Sequence, residues 1–249
     1  MSNLLIVLTG ESFRSGRQMT RDRGGNNCKQ TQRIASESHI NFIKSIKNKY
    51  NINSDVIING YCLNDEYDKI LLSFYEEYSI LINLHKNILQ SEKALVDDTI
   101  SRLQNIDTIK YEHILFLRLD VYIKPYFLDI FTPTKIYTNK IIYAHVDSNQ
   151  YLHSLNFPMI CHQICLVPKK YFINLWKDNV WNLHESAHYI APIIGKQNID
   201  VFIYTCHYSS TDLDWNPIYT QVGRIENMNY VSKGKYFDIN NMQIYSVEL

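Results

Sequence analysis

The chain has 249 residues, 45% of them hydrophobic, and its 25 Lys and Arg balance its 25 Asp and Glu. A neutral chain carries no basic footprint for nucleic acid or for an anionic membrane surface. This length suits one α/β domain or two small ones with a sizeable core, and with no internal repeat or low-complexity linker in the sequence the expectation is a single domain over residues 1–249. No run approaches the ~18 apolar residues of a membrane span, and five scattered Cys, an odd number, argue against a disulfide framework.

Leu4 to Thr9 predicts a first strand, followed by Gly10. Residues 11 to 33 read as a polar, Gly-containing loop. From Ser36 to Lys49 the apolar positions Ile40, Phe42, Ile43 and Ile46 have helical spacing. Asp55 to Tyr61 predicts a second strand. Residues 65 to 106 read as mostly helical, with Ile70, Leu71, Phe74, Tyr78, Leu81 and Ile82 on one face. A strand then runs from His113 to Asp120. Ile123 to Phe131 is a short connection, helical after Pro125. Lys140 to His145 and Gln163 to Val167 predict further strands, and Pro168 starts a helix over Lys169 to Trp176. Residues 180 to 191 read as helical and Asp200 to Cys206 as a final strand. The tail from Ser209 is polar and rich in turn residues. Strands alternating with helical patterns predict a mixed, mainly parallel Rossmann-type sheet flanked by helices.

The run His113-Ile114-Leu115-Phe116-Leu117-Arg118-Leu119-Asp120 carries the most information. An apolar strand that ends in a carboxylate delivers it to the C-terminal edge of the sheet, where ligands bind. There Asp120 suits a metal ion or a sugar hydroxyl, and its other reading is a structural ion pair with Arg118. The loop after the first strand holds Gly10, Ser12, Arg14 and Arg17, and six basic residues against one acidic residue between positions 14 and 33. Arg binds diphosphate oxygens with two parallel hydrogen bonds. The spacing is neither a Walker loop nor a dinucleotide fingerprint, and a solvated surface loop is the plainer alternative.

A third segment, His207 to Pro217, contains the acidic pair Asp212 and Asp214 beside Trp215 and Asn216. Carboxylates next to an aromatic face suit sugar binding, and either Asp is a candidate general base for an acceptor hydroxyl. A turn capped by Asp and Asn is the alternative. A competing motif is His184-Glu185-Ser186-Ala187-His188. On a helix its two His share a face and bind zinc while Glu185 activates water. Pro192, four residues later, keeps that helix short. Cys161-His162 with Cys165, and His145-Val146-Asp147, are lesser clusters.

Gly10-x-Ser12-Phe13-Arg14, Arg118-x-Asp120 and Asp214-Trp215-Asn216-Pro217-Ile218-Tyr219 together resemble glycosyltransferase-like proteins of the GT-A type from large DNA viruses and algae. A composition with 19 Tyr and many Ile, Asn and Lys agrees with an AT-rich coding genome. The resemblance implies a GT-A-like fold and transfer of a sugar from a nucleotide-sugar donor to a hydroxyl of a glycan or other acceptor. It implies Mn2+ or Mg2+ as cofactor, held through Asp120 as the surviving carboxylate of an acidic-x-acidic motif, with His207 assisting. Arg118 stands where that motif has its first carboxylate. Gly10, Ser12, Arg14, Arg17, Arg118 and Asp120 are the expected donor site, Asp212 and Asp214 the catalytic pair, and Trp215 and Asn216 the acceptor site. The expected location is the cytoplasm, that of the host if the protein is viral. A zinc hydrolase on His184, Glu185 and His188, and a non-catalytic glycan- or nucleotide-binding domain, are the rival readings.

Overall fold

A computed structural model of the chain describes residues 3–14, 23–25, 28–87, 89, 92–152, 157–160, 164–172, 194–203, 219–221, 235–238 and 243–246. Four strands are parallel: β1 (Asn3–Gly10), β2 (Asn53–Tyr61), β3 (Ser79–His85) and β4 (His113–Arg118), in the spatial order β3-β2-β1-β4. The turn Leu119-Asp120 leads from β4 into β5 (Val121–Ile123). The sheet continues through β6 (Ile141–Leu152), β7 (Phe157–Ile160), β8 (Ile164–Pro168) and β9 (Ile199–Ile203). β8 lies antiparallel between β4 and β6, so β6 runs in the direction of β4. β9 pairs parallel with the first half of β6, and β7 antiparallel with the second half. β10 (Tyr219–Gln221) pairs with β5, while β11 (Lys235–Asp238) and β12 (Gln243–Ser246) form a hairpin.

Alternation along buried strands builds two cores, because successive side chains point to opposite faces. On one face Leu4, Ile6 and Leu8 of β1 join Leu115 and Leu117 of β4. Over them pack α1 (Cys28–Tyr50), α2 (Asp65–Tyr75), α4 (Pro125–Ile130) and α5 (Pro133–Ile136) through Phe42, Ile46, Leu71, Phe127 and Ile136. On the other face Leu5 and Val7 join Ile114 and Phe116. α3 (Glu92–Leu103) covers them with Val96 and Leu103, and Tyr171 and Phe172 extend the cover. The short helices α4 and α5 each begin with Pro, whose missing N–H costs nothing in a first turn. No helix among the described residues is long and apolar enough to cross a membrane.

Four expectations change. α1 starts at Cys28 rather than Ser36, so it absorbs the end of the expected loop. Leu81 and Ile82 lie on strand β3, not on a helix, because α2 stops at Tyr75 and a turn intervenes. Asp120 sits in the turn after β4 rather than at its last position. The polar tail contributes three strands.

Candidate functional site

The register of the parallel strands aligns one polar row across the sheet. Asn83 of β3 lies opposite Asn59 of β2, Asn59 opposite Thr9 of β1, and Thr9 opposite Arg118 of β4. Thr9 and Arg118 are the last side chains of β1 and β4 on the α3 face, while Tyr61 and His85 follow Asn59 and Asn83 on β2 and β3. Asn59 is fully buried and ties the row to α3: its amide donates to Thr99 Oγ1 at 2.7 Å and to Asp98 Oδ2 at 2.9 Å. Asp98 also receives Arg102 Nε at 2.7 Å and lies 3.0 Å from His85 Nε2. Burial opposes its charge, but the hydrogen bonds from Arg102 and Asn59 outweigh it and hold the carboxyl below its usual range. Beyond the row, Gly10 pairs with Gly60. A Cβ on Gly60 would meet the Gly10 carbonyl and the Leu119 side chain, each at 2.9 Å, so only glycine lets these loops leave side by side.

The loop after β1 then folds back. Gly10 (φ 104°) and Phe13 (φ 52°) are both in the left-handed region, uncommon for a bulky residue such as Phe. Phe13 is held there by full burial, by its N–H to Gln32 Oε1 at 2.9 Å, and by its carbonyl, which accepts from Gly24. Arg23 clamps the same loop, donating to the Ser12 carbonyl and to the carbonyls of Tyr61 and Cys62 at 2.7–3.0 Å.

This geometry brings Arg14 onto Asp120. The distance from Arg14 NH1 to Asp120 Oδ2 is 3.4 Å, and Arg14 Nε lies 3.4 Å from Glu11 Oε2. Arg118 grips Asp120 more closely, with Nε to Oδ1 at 2.8 Å and NH2 to Oδ2 at 3.0 Å. That is the planar fork in which Arg binds a carboxylate most strongly. Asp120 is 1% exposed, and Arg14 and Glu11 are also buried.

α1 fixes both loops from below. Gln32 accepts from Phe13 and donates to the Leu119 carbonyl at 3.1 Å, linking the Arg14 loop to the Asp120 turn. His39 Nε2 lies 2.6 Å from the Val121 carbonyl and Nδ1 lies 2.7 Å from Tyr75 Oη. The carbonyl accepts only, so Nε2 carries the proton and Nδ1 accepts from Tyr75. Burial pushes the His39 pKa down to about 4, which keeps the imidazole neutral. Ser38 Oγ accepts from the Ile123 N–H at 3.0 Å. Gln32, Ser38 and His39 were not among the expected site residues, and polar letters at helical spacing ahead of Ile40 were the available signal; Arg23 stood in the expected basic run but not among the expected donor residues.

Of the expected donor site, the structure unites Ser12, Arg14, Arg118 and Asp120 near Gly10. The rest of the basic run disperses: Arg23 is the loop clamp, while Lys29 pairs with Glu66 and Arg33 with Glu37 on the exposed side of α1. Arg17, His207, Asp212, Asp214, Trp215 and Asn216 lie outside the described residues, as do His184, Glu185 and His188 of the zinc motif and Cys161 and His162. Cys165 is buried in the core, where burial pushes its thiol pKa up. Among the described residues no group of three His, Cys, Asp or Glu is placed to hold a metal ion. The donor set at Asp120 does not suit a divalent cation either: its neighbours are guanidiniums, and both of its oxygens already accept from Arg118.

No protein-family model and no curated protein matches the chain. Among solved structures it is similar to 4-diphosphocytidyl-2C-methyl-D-erythritol synthase from Anaerococcus prevotii, with 10% identity, TM-score 0.53, and 92% of this chain and 94% of that one covered. It is also similar to a glycosyltransferase involved in glycosylation of the major capsid of PBCV-1, with 13% identity, TM-score 0.40, and coverage of 79% and 80%. A third is a Drosophila β1,4-galactosyltransferase 7 mutant in complex with manganese, UDP-Gal and xylobiose, with 11% identity, TM-score 0.45, and coverage of 97% and 79%. The mixed, mainly parallel sheet with helices on both faces is thus a GT-A-like fold, shared with that synthase.

Proposed function

We propose that this chain is a glycosyltransferase that moves a sugar from a nucleotide-sugar donor to a hydroxyl of a glycan or another acceptor. One observation carries the reading: Arg14, Arg118 and Asp120 meet at the C-terminal edge of the adjacent parallel strands β1 and β4. Ligands of open α/β sheets bind at that edge, and guanidinium forks match phosphate oxygens. The synthase of similar fold is named for a diphosphocytidyl compound, which belongs to the same chemical class as the proposed donor.

As the bond from sugar to diphosphate breaks, negative charge grows on the departing diphosphate. Fixed cationic donors at that place stabilise it without reorganising. Gly10, Ser12, Arg14, Arg17 and Arg118 form the donor side. Asp212 or Asp214 is the base or acceptor ligand, with Trp215, Asn216 and His207 on the acceptor side. All of this belongs to a single domain over 1–249 acting in the cytoplasm, that of the host if the protein is viral.

A thermal-shift screen of UDP, GDP, CDP, ADP and their sugar derivatives tests the reading. A ligand of the folded state raises the melting temperature by mass action. The bound donor should then release its nucleoside diphosphate over many turnovers when acceptor is supplied. No shift with any nucleotide at millimolar concentration would remove the transferase. A shift without turnover would leave a nucleotide-binding domain.

A further inference from the structure

Asp120 is the carboxylate that a metal-dependent donor site needs, and it is already engaged. Arg118 holds both of its oxygens and Arg14 approaches Oδ2. Glu11 stands 3.4 Å from Arg14 on the other side. Among the described residues, two guanidiniums and two carboxylates therefore form one largely buried cluster whose formal charges sum to zero. An acidic pair holding a divalent cation has the same balance. In both cases two positive charges are fixed at the strand edge by two carboxylates, but here the positive charges belong to the chain. Neither guanidinium loses its proton in a protein. A cation arriving at Asp120 would have to displace both, and would leave them buried beside an added like charge. The loops are built around the guanidiniums as well: Phe13 adopts a left-handed backbone to turn Arg14 inward, and Gln32 joins that loop to the Asp120 turn.

Resting on the transferase reading above, we infer that the diphosphate of the donor is bound by Arg118 and Arg14 in place of a divalent cation, with Asp120 and Glu11 as positioning residues for the two guanidiniums. Asp120 then touches arginine rather than substrate. The site meets its ligand without a metal, and its strength depends on ionic strength rather than on cation supply.

Calorimetric titration of the full chain with UDP, GDP, CDP and ADP tests this, once after dialysis against EDTA and once in MnCl2. The expected result is the same Kd in both buffers, weakening as NaCl is raised because salt screens such pairs. Arg118→Lys keeps the charge and loses the fork. With its circular dichroism unchanged, it should weaken binding in EDTA by about tenfold, the loss of one charge-assisted hydrogen bond. Arg14→Lys is the second variant if the first does not fold. Binding that needs MnCl2 and vanishes in EDTA overturns the inference and leaves the transferase standing. Binding equal in both buffers but indifferent to both variants also overturns it, since the phosphates are then held elsewhere. No binding of any nucleotide in either buffer removes the transferase reading and this inference with it.

Discussion

The two ends of the parallel strands carry ion pairs of opposite character. At the N-terminal end Lys110, just before β4, meets Asp55 of β2 at 2.8 Å, with side chains 46% and 35% exposed. At the C-terminal end Arg118 meets Asp120 at the same 2.8 Å, but the Asp120 side chain is 2% exposed. Equal distances therefore conceal unequal energetics. Water screens the first pair, so its two charges are well solvated with or without each other. The second pair has little water to fall back on, and each charge depends on its partner. A buried pair is weak evidence of added stability, since desolvation offsets attraction. Its persistence at the edge where ligands bind is better explained by use.

Breaking the buried pair should give the largest effect. Asp120→Asn keeps the shape and removes the charge, which takes from Arg118 and Arg14 the carboxylate they share in a largely buried cluster. The expected cost is about 3–5 kcal/mol of folding stability, read from urea unfolding. A stability within experimental error of the parent would show that the guanidiniums reach water, and would separate Asp120 from the ion-pair role argued here.

The next effect is a pH dependence that the exposed pair cannot produce. His39 has a folded pKa of about 4 against an ordinary 6.5, because burial disfavours the imidazolium. The folded state thus binds fewer protons than the unfolded state between those values. Stability is fully present above pH 6.5 and falls as the pH drops towards 4, by a total on the order of 3 kcal/mol. The comparison that isolates this is the unfolding free energy at pH 7 and pH 5 for the parent and for His39→Gln, which cannot titrate. The parent should lose more on acidification. Parallel losses would assign the dependence to other groups.

The strand that delivers Asp120 was legible because the short apolar run Ile114 to Leu117 has the length and character of a covered strand, and the structure buries all of it. An ion pair between Arg118 and Asp120 was open as one of two readings, since neighbours two apart meet once the chain turns. The rest of the site depends on register. Thr9, Asn59, Asn83 and Arg118 share a row only because of strand pairings that no local pattern encodes. The first turns of α1 escaped notice for a different reason. Their buried side chains are Cys28, Thr31, Gln32, Ala35, Ser36, Ser38 and His39, most of them polar, with Gln32, Ser36, Ser38 and His39 bonded to the Arg14 loop, the Asp120 turn, β5 and α2 rather than packed on apolar core. A search for hydrophobic periodicity is blind to such a face. β3 was hidden because Leu81 and Ile82 continue the helical spacing of Ile70, Leu71 and Phe74, and no Gly or Pro marks the turn between.

The smallest effect should come from the exposed pair itself. Two hydrogen bonds, from Lys110 and from the Tyr111 hydroxyl, hold the Asp55 carboxyl below its usual range even though partial burial works against its charge. Asp55→Asn removes the charge but keeps an oxygen that can accept from Tyr111, so the buried phenol is not stranded. Lys110, largely in water, retains its hydration. What is lost is a screened attraction worth at most about 1 kcal/mol. Raising NaCl should shrink even that difference, because exposed charges are screened over roughly 10 Å at 0.1 M salt. Urea unfolding of the parent and Asp55→Asn at low and high salt measures both points. A loss comparable to that of Asp120→Asn, or one that salt leaves untouched, would mean that the N-terminal pair is as cut off from water as the C-terminal one, and the contrast between the two edges would fail.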